Sequence, residues 1–259
     1  MAVLQIQYPS RALGHTNEVL VLLPESVRKE TGKLPTIWLL HGAFGGHTDW
    51  LRKTMIELYA EQYGFAVVMA SVENSLYGNI PSGRYYDLLT KELPDYLRGI
   101  LPLSEKREEN MVVGFSMGGH GAYKLALSEP EMYAGAVVFA AGSFAGMPDA
   151  PEGSALQDVH QYVFGHTHLA NLKDTDMDVE WLAEELMKTD RPKPLLYACC
   201  GRDDMGFPLA EKTAAYMKEL GLTISWKAAE GKHDWFFINR ELPDAIDWCA
   251  GVMNLTAKE

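Results

Sequence analysis

The chain has 259 residues, of which 47% are hydrophobic and 22% charged, a balance that suits a folded protein with a sizeable core and excludes a disordered chain. Its formal net charge of -12, without a dense run of lysine or arginine, repels phosphate backbones and anionic lipid surfaces, so neither nucleic acid nor a membrane is expected as a partner. Cys199 and Cys200 are adjacent in an apolar run, and with Cys249 the count is odd; no disulfide framework follows, and a cytoplasmic location is expected.

Residues 1–9 alternate polar and apolar side chains, which reads as a strand and not as a signal peptide. Further apolar runs predict strands at 18–23, 36–40, 65–70, 111–115, 136–140, 195–199 and 223–227. The first two are expected to be antiparallel edge strands. Segments of helical period fall between them at 49–62, 86–100, 118–127, 209–220 and 239–253, with Gly64, Pro102, Pro130 and Gly221 marking four of the stops. This alternation is the pattern of a mostly parallel eight-stranded sheet with helices on both faces. One stretch breaks the rhythm. Residues 143–194, after the sixth strand, hold one convincing helix at 179–187 and otherwise Gly, Pro, Asp and His, so they read as a lid or binding wall inserted into a single domain spanning 1–259.

Gly114-Phe115-Ser116-Met117-Gly118 follows the strand 111–115 directly and opens a helix. A G-x-S-x-G pentad in that setting is a nucleophile elbow: the serine is forced into a strained turn, and the glycines remove side chains that would strike the neighbouring strand and helix. A serine hydroxyl needs a base, and the base needs an orienting acid. Downstream the chain supplies Gly201-Arg202-Asp203-Asp204 after one strand and Gly231-Lys232-His233-Asp234-Trp235 after the next, in the order nucleophile, acid, histidine expected of an α/β-hydrolase fold. His233 is the candidate base. Asp204 is favoured as the acid, while Asp203 suits a turn and Asp234 a helix cap. The oxyanion donors would be the backbone N–H groups of Met117 and, in His41-Gly42-Ala43-Phe44-Gly45-Gly46, of Ala43.

With these residues placed, the chain resembles the esterase D family, and more closely its shorter bacterial branch of tributyrin, acetyl and feruloyl esterases. The similarity rests on L-L-H-G-A-F-G-G-H-T-D-W at 39–50, Tyr85-Tyr86, Glu92-Leu93-Pro94, G-F-S-M-G-G-H-G-A at 114–122 and G-K-H-D-W at 231–235. It implies hydrolysis of short-chain acyl or aryl-acyl esters without a cofactor, commonly by a homo-oligomer. In the family pattern the acid stands three residues beyond the glycine of a G-x-x-D loop, which carries over to Asp204. Gly206 and Pro208 depart from the bulkier residues expected in that loop. Feruloyl or acetyl-xylan esterase, a thioesterase like S-formylglutathione hydrolase, and acyltransferase remain alternatives, as does a non-catalytic binding protein.

Candidates for substrate binding are Phe44, Tyr77, Phe207 and Trp235, with Trp50 beside them, because each flanks a motif loop. His160, His166 and His168 with Asp174, Asp176 and Asp178 fit no compact zinc template, and no metal is expected. The insertion, read as irregular and polar, predicts a preference for acetyl to butyryl esters.

Overall fold

A strand that is apolar on both faces can be stable only inside a sheet covered on both sides, and the central strands of this chain are of that kind. The computed structural model describes residues 1–25, 32–145, 147, 149–165 and 167–257. Their elements in order are β1 (Ala2–Pro9), β2 (Thr16–Leu23), β3 (Thr36–Leu40), α1 (Asp49–Lys53), α2 (Ile56–Tyr63), β4 (Ala66–Ala70), the small hairpin β5 (Asn79–Ile80) and β6 (Gly83–Arg84), and α3 (Tyr85–Asp87). A π-helical stretch, Leu88–Glu92, joins α3 to α4 (Leu93–Ile100), and β7 (Asn110–Phe115), α5 (Met117–Ser128), β8 (Gly135–Phe139), α6 (Ala155–Phe164), α7 (Val179–Met187), β9 (Leu195–Gly201), α8 (Phe207–Glu219), β10 (Ile224–Ala229) and α9 (Trp235–Val252) follow.

The eight-stranded sheet runs β1-β2-β4-β3-β7-β8-β9-β10. Pairing is parallel from β4 through to β10 and antiparallel only where β2 meets β1 and β4. Thus β1 is an edge strand as expected, but β2 is interior, because its apolar residues Leu20 to Leu22 pair with Val67 to Met69 of β4. Strand residues alternate between two cores. Trp38, Leu40, Val112 and Val138 join α4, α5 and α7 on one face. Ile37, Leu39, Val113 and Phe139 join α1, α2 and α9 on the other. The edge strand β10 is only partly covered, and its Lys227 ammonium sits 2.6 Å from Glu241 and 2.5 Å from Asp244 of α9.

Two local expectations need correcting. The helix predicted over 49–62 is broken at Thr54, whose hydroxyl donates to the Trp50 carbonyl at 2.5 Å and ends α1. The insertion holds a second helix, α6, capped by the Ser154 hydroxyl, which accepts from the Gln157 N–H at 3.2 Å. No helix among the described residues is long and apolar enough to cross a membrane. The three cysteines are buried and unpaired with one another, and burial pushes the Cys199 and Cys200 thiols up to about 12, so they serve as core packing.

Register places the site. Leu40 of β3 pairs with Gly114 of β7, Phe115 with Phe139 of β8, and Gly201 of β9 with Ala229 of β10. The loops that follow these strands therefore gather at the carboxyl edge of the sheet, where open α/β sheets form their clefts.

Candidate active site

Ser116 is the residue between β7 and α5, and it has φ 59° and ψ -119°, a conformation nearly confined to glycine. Two glycines make the turn possible. A Cβ on Gly114 would lie 1.9 Å from the Gly118 carbonyl oxygen, and one on Gly118 would lie 2.2 Å from that of Leu40. The turn is anchored by the Ser116 N–H, which donates to the Phe139 carbonyl at 2.9 Å.

His233 lies on the loop between β10 and α9. Its Nδ1 is 2.7 Å from Asp204 Oδ2 and its Nε2 is 2.8 Å from Ser116 Oγ. A carboxylate can only accept, so the proton belongs on Nδ1 and Nε2 is left as acceptor for the serine hydroxyl. Asp204 is buried at 4% exposure, and its second oxygen accepts the Gly206 N–H at 2.7 Å. Asp203, its neighbour, is exposed and donates only its backbone N–H to the Gly231 carbonyl. Asp234 turns away from the imidazole and caps α9, accepting the Phe237 N–H at 2.8 Å. The Phe115 ring lies 4.8 Å from that of His233 and limits its tilt.

Ala43 and Met117 both line the cavity beside Ser116. Met117 is the first residue of α5, and the first N–H groups of a helix have no acceptor within it. The loop carrying Ala43 is held from several sides. His41 is buried, with Nδ1–H donating to the Gly42 carbonyl at 2.9 Å and Nε2 accepting the Val72 N–H at 3.3 Å; burial lowers its pKa and keeps it neutral. The Trp50 indole N–H donates to the Leu40 carbonyl at 3.0 Å, and the Phe44 N–H to Asn74 Oδ1 at 2.7 Å.

The cavity next to Ser116 has a volume of about 430 Å³. Much of its wall comes from the insertion: Phe144, Met147, Val159, Phe164 and Leu169 face it, with Leu209 from α8. The insertion is therefore an apolar wall at this point and not the polar one expected. Phe44, Tyr77, Phe207 and Trp235 are not among the residues lining it. Phe44 is 62% exposed, whereas Tyr77 is buried with its hydroxyl 2.8 Å from the His41 carbonyl. Phe207 packs on Trp226 at 5.9 Å. Trp235 opens α9 and meets Trp50 and Phe115 edge-on at 5.2 and 5.3 Å. Trp50 is itself buried in the core.

Sequence reasoning missed His120, on α5 in the cavity wall, although it stands four residues after Ser116 within the motif already singled out. It also missed Asn74. The acidic and histidine residues of the insertion are dispersed: His160 and His168 face Asp149, Asp176 pairs with the Lys124 ammonium at 2.8 Å, Asp178 caps α7, and Asp174 occupies a turn with φ 61°. His166 lies outside the described residues.

The family model described as "Putative esterase" matches residues 10–208. The chain belongs to this esterase family. An acetyl esterase of Caldicellulosiruptor saccharolyticus is 29% identical over 266 residues, covering 97% of this chain and 99% of that protein. The fluorophosphonate-binding serine hydrolase F of Staphylococcus aureus superposes with a TM-score of 0.87 at 29% identity, covering 96% of this chain and 98% of that one. An S-formylglutathione hydrolase from the same organism gives 0.84 at 29% identity, with the same coverage. The fold is that of α/β-hydrolase esterases, and membership of the esterase family makes the protein a carboxylic ester hydrolase.

Proposed function

We propose that the protein is a serine carboxylesterase in which Ser116 is the nucleophile, His233 the general base and acid, and Asp204 the group that orients and stabilises the imidazole. The observation that carries this reading is the continuous chain from Ser116 Oγ through His233 to the buried Asp204, at 2.8 and 2.7 Å, built on a serine with positive φ. The Ser116 oxygen attacks the ester carbonyl carbon while its proton passes to His233 Nε2. The resulting oxyanion accepts hydrogen bonds from the backbone N–H groups of Ala43 and Met117, each such donor being worth about 10²–10³ in kcat. His233 then gives its proton to the leaving alkoxide. Water then attacks the acyl carbon as His233 takes its proton, the acyl–Ser116 bond breaks as His233 returns that proton to Ser116 Oγ, and the carboxylic acid is released.

The substrates are esters of short or compact aryl acyl groups. Cavity size supports this, since about 430 Å³ lined by Phe144, Val159 and Phe164 accepts a small apolar group; the similarity to an acetyl esterase agrees with it. Size, rather than polarity of the insertion, sets the upper limit. A p-nitrophenyl ester series in wild type and Ser116→Ala, with fluorophosphonate labelling of both, tests the reading. Acetyl to butyryl esters should outrun octanoyl, and the Ala variant should be unlabelled and inactive. Labelling that persists in the variant, or a faster octanoyl ester, would count against it.

A further inference from the structure

Phe44, the residue after Ala43, has φ 61°, a left-handed conformation that is unfavourable for a residue with a side chain. Its ring is largely exposed, so side-chain packing does not hold it there. A backbone bond does: the Phe44 N–H donates to Asn74 Oδ1 at 2.7 Å. The penalty of the left-handed region and the worth of one neutral hydrogen bond are similar in size. Loss of the Asn74 acceptor therefore tips the balance against this conformation. Asn74 itself stands in a strained segment, with Glu73 and Leu76 at φ 50° and Tyr77 at φ 60°, as is common for backbone at a working site.

The bond matters because of the peptide beside it. The Gly42–Ala43 peptide lies between two clamped ones: His41–Gly42, whose carbonyl accepts the Tyr77 hydroxyl at 2.8 Å, and Ala43–Phe44, whose N–H is held by Asn74. The Gly42 carbonyl accepts from His41 Nδ1–H at 2.9 Å and from the Gly45 N–H at 3.1 Å. A peptide is planar and trans, so the Ala43 N–H points the opposite way. This stretch adjoins the nucleophile: a Cβ on Gly42 would lie 3.5 Å from the Ser116 Cβ, and Ala43 lines the cavity beside Ser116. Asn74 is not among the residues lining that cavity, so its route to the reaction is the loop.

We propose that Asn74 is a positioning residue: by holding Phe44 in the left-handed region it fixes the Ala43 N–H where the oxyanion forms, a role that rests on Ser116 as nucleophile and Ala43 as oxyanion donor. Asn74→Ala should lower kcat and kcat/KM together, roughly 2- to 10-fold, with KM nearly unchanged. The substrate is p-nitrophenyl butyrate, and active enzyme is counted by fluorophosphonate labelling run to completion, so losses of folded protein cancel. An alkyl trifluoromethyl ketone gives a second readout. Ser116 Oγ bonds to its carbonyl carbon, the serine proton passes to His233 Nε2, and the carbonyl becomes an alkoxide in the oxyanion site. Its Ki should rise in Asn74→Ala by the factor by which kcat/KM falls. Phe44→Gly removes the backbone penalty, so Asn74→Ala made in that background should cost less than in wild type. A change confined to KM, an unchanged Ki, or an equal loss in the glycine background overturns the proposal. Labelling of wild type keeps the two readings distinct: an unlabelled Ser116 would overturn the nucleophile assignment, while a labelled Ser116 with Asn74→Ala as fast as wild type overturns the role of Asn74 alone.

Discussion

The Tyr77 hydroxyl donates to the His41 carbonyl at 2.8 Å from a fully buried position beneath the loop that carries Ala43. Tyr77→Phe deletes that donor and leaves the carbonyl buried. Because one neutral hydrogen bond contributes about 0.5–1.5 kcal/mol, kcat should fall roughly 2- to 10-fold with KM nearly constant, as the loop loses its hold on Ala43, the proposed oxyanion donor. Steady-state kinetics on p-nitrophenyl acetate checks the split; a change confined to KM would place Tyr77 in substrate binding after all.

Asp204 and Asp203 are adjacent yet differently engaged, one bonded to the His233 ring and the other tied only through its backbone. Asp204→Asn should lower kcat by about 10⁴-fold, as the imidazole takes the wrong tautomer. Asp203→Asn should cost less than about tenfold. Both variants need wild-type melting for the comparison to hold.

Strain at Ser116 has a thermodynamic signature of its own. A non-glycine residue in that backbone region costs about 1–3 kcal/mol, whereas glycine there gives back roughly 0.5–1 kcal/mol through its freer unfolded chain. Ser116→Gly should therefore be more stable than Ser116→Ala by about 1 kcal/mol, with both inactive. Urea denaturation measures the difference, and a Ser116→Gly variant less stable than Ser116→Ala by roughly 0.5–1 kcal/mol would mean that the turn is unstrained.

His120 and His41 are both held neutral by burial, His120 down to about 3. In the unfolded chain each titrates near ~6.5. For His120, between that value and about 3 the unfolded state binds more protons than the native one, so stability rises with pH and is lost on acidification. His120 contributes a slope approaching about 1.4 kcal/mol per pH unit below ~6, and His41 acts in the same direction. Unfolding free energies of wild type and His120→Gln at pH 7 and 5 should show the variant losing less; identical losses would exclude His120 as a source.

All eight strands of the large sheet were legible in the sequence: β3, β4, β7, β8 and β9 because strands buried on both faces are short apolar runs, β1 because its polar and apolar side chains alternate, and β2 and β10 because each carries a shorter apolar pattern. The candidates Ser116, Asp204 and His233, which the fold brings within hydrogen-bonding distance of one another, stood out in the sequence because each follows a predicted strand. What could not be read was the direction of side chains near the motif loops. Trp235 adjoins the His233 loop, yet it begins α9 and turns into the core against Trp50. Tyr77 sits after the fourth strand but reaches backbone rather than cavity. The helix α6 was hidden by the Gly, Pro and Asp around it, although Ser154 is a sound cap and Val159 and Val163 have helical spacing. Apolar residues of that helix, spread among polar ones, become a wall only when folded over the carboxyl edge of the sheet.

An open sheet ends in two rows of unpaired backbone groups, each a template on which another chain could add a strand. At the β10 end, Lys227 stands in the middle of the strand with its ammonium held by Glu241 and Asp244. A strand docking alongside would have to strip water from this charged cluster, a penalty that apolar contact along Ile224 and Trp226 would have to offset. The same lysine that fastens α9 to the sheet thus guards its open margin against edge-to-edge aggregation.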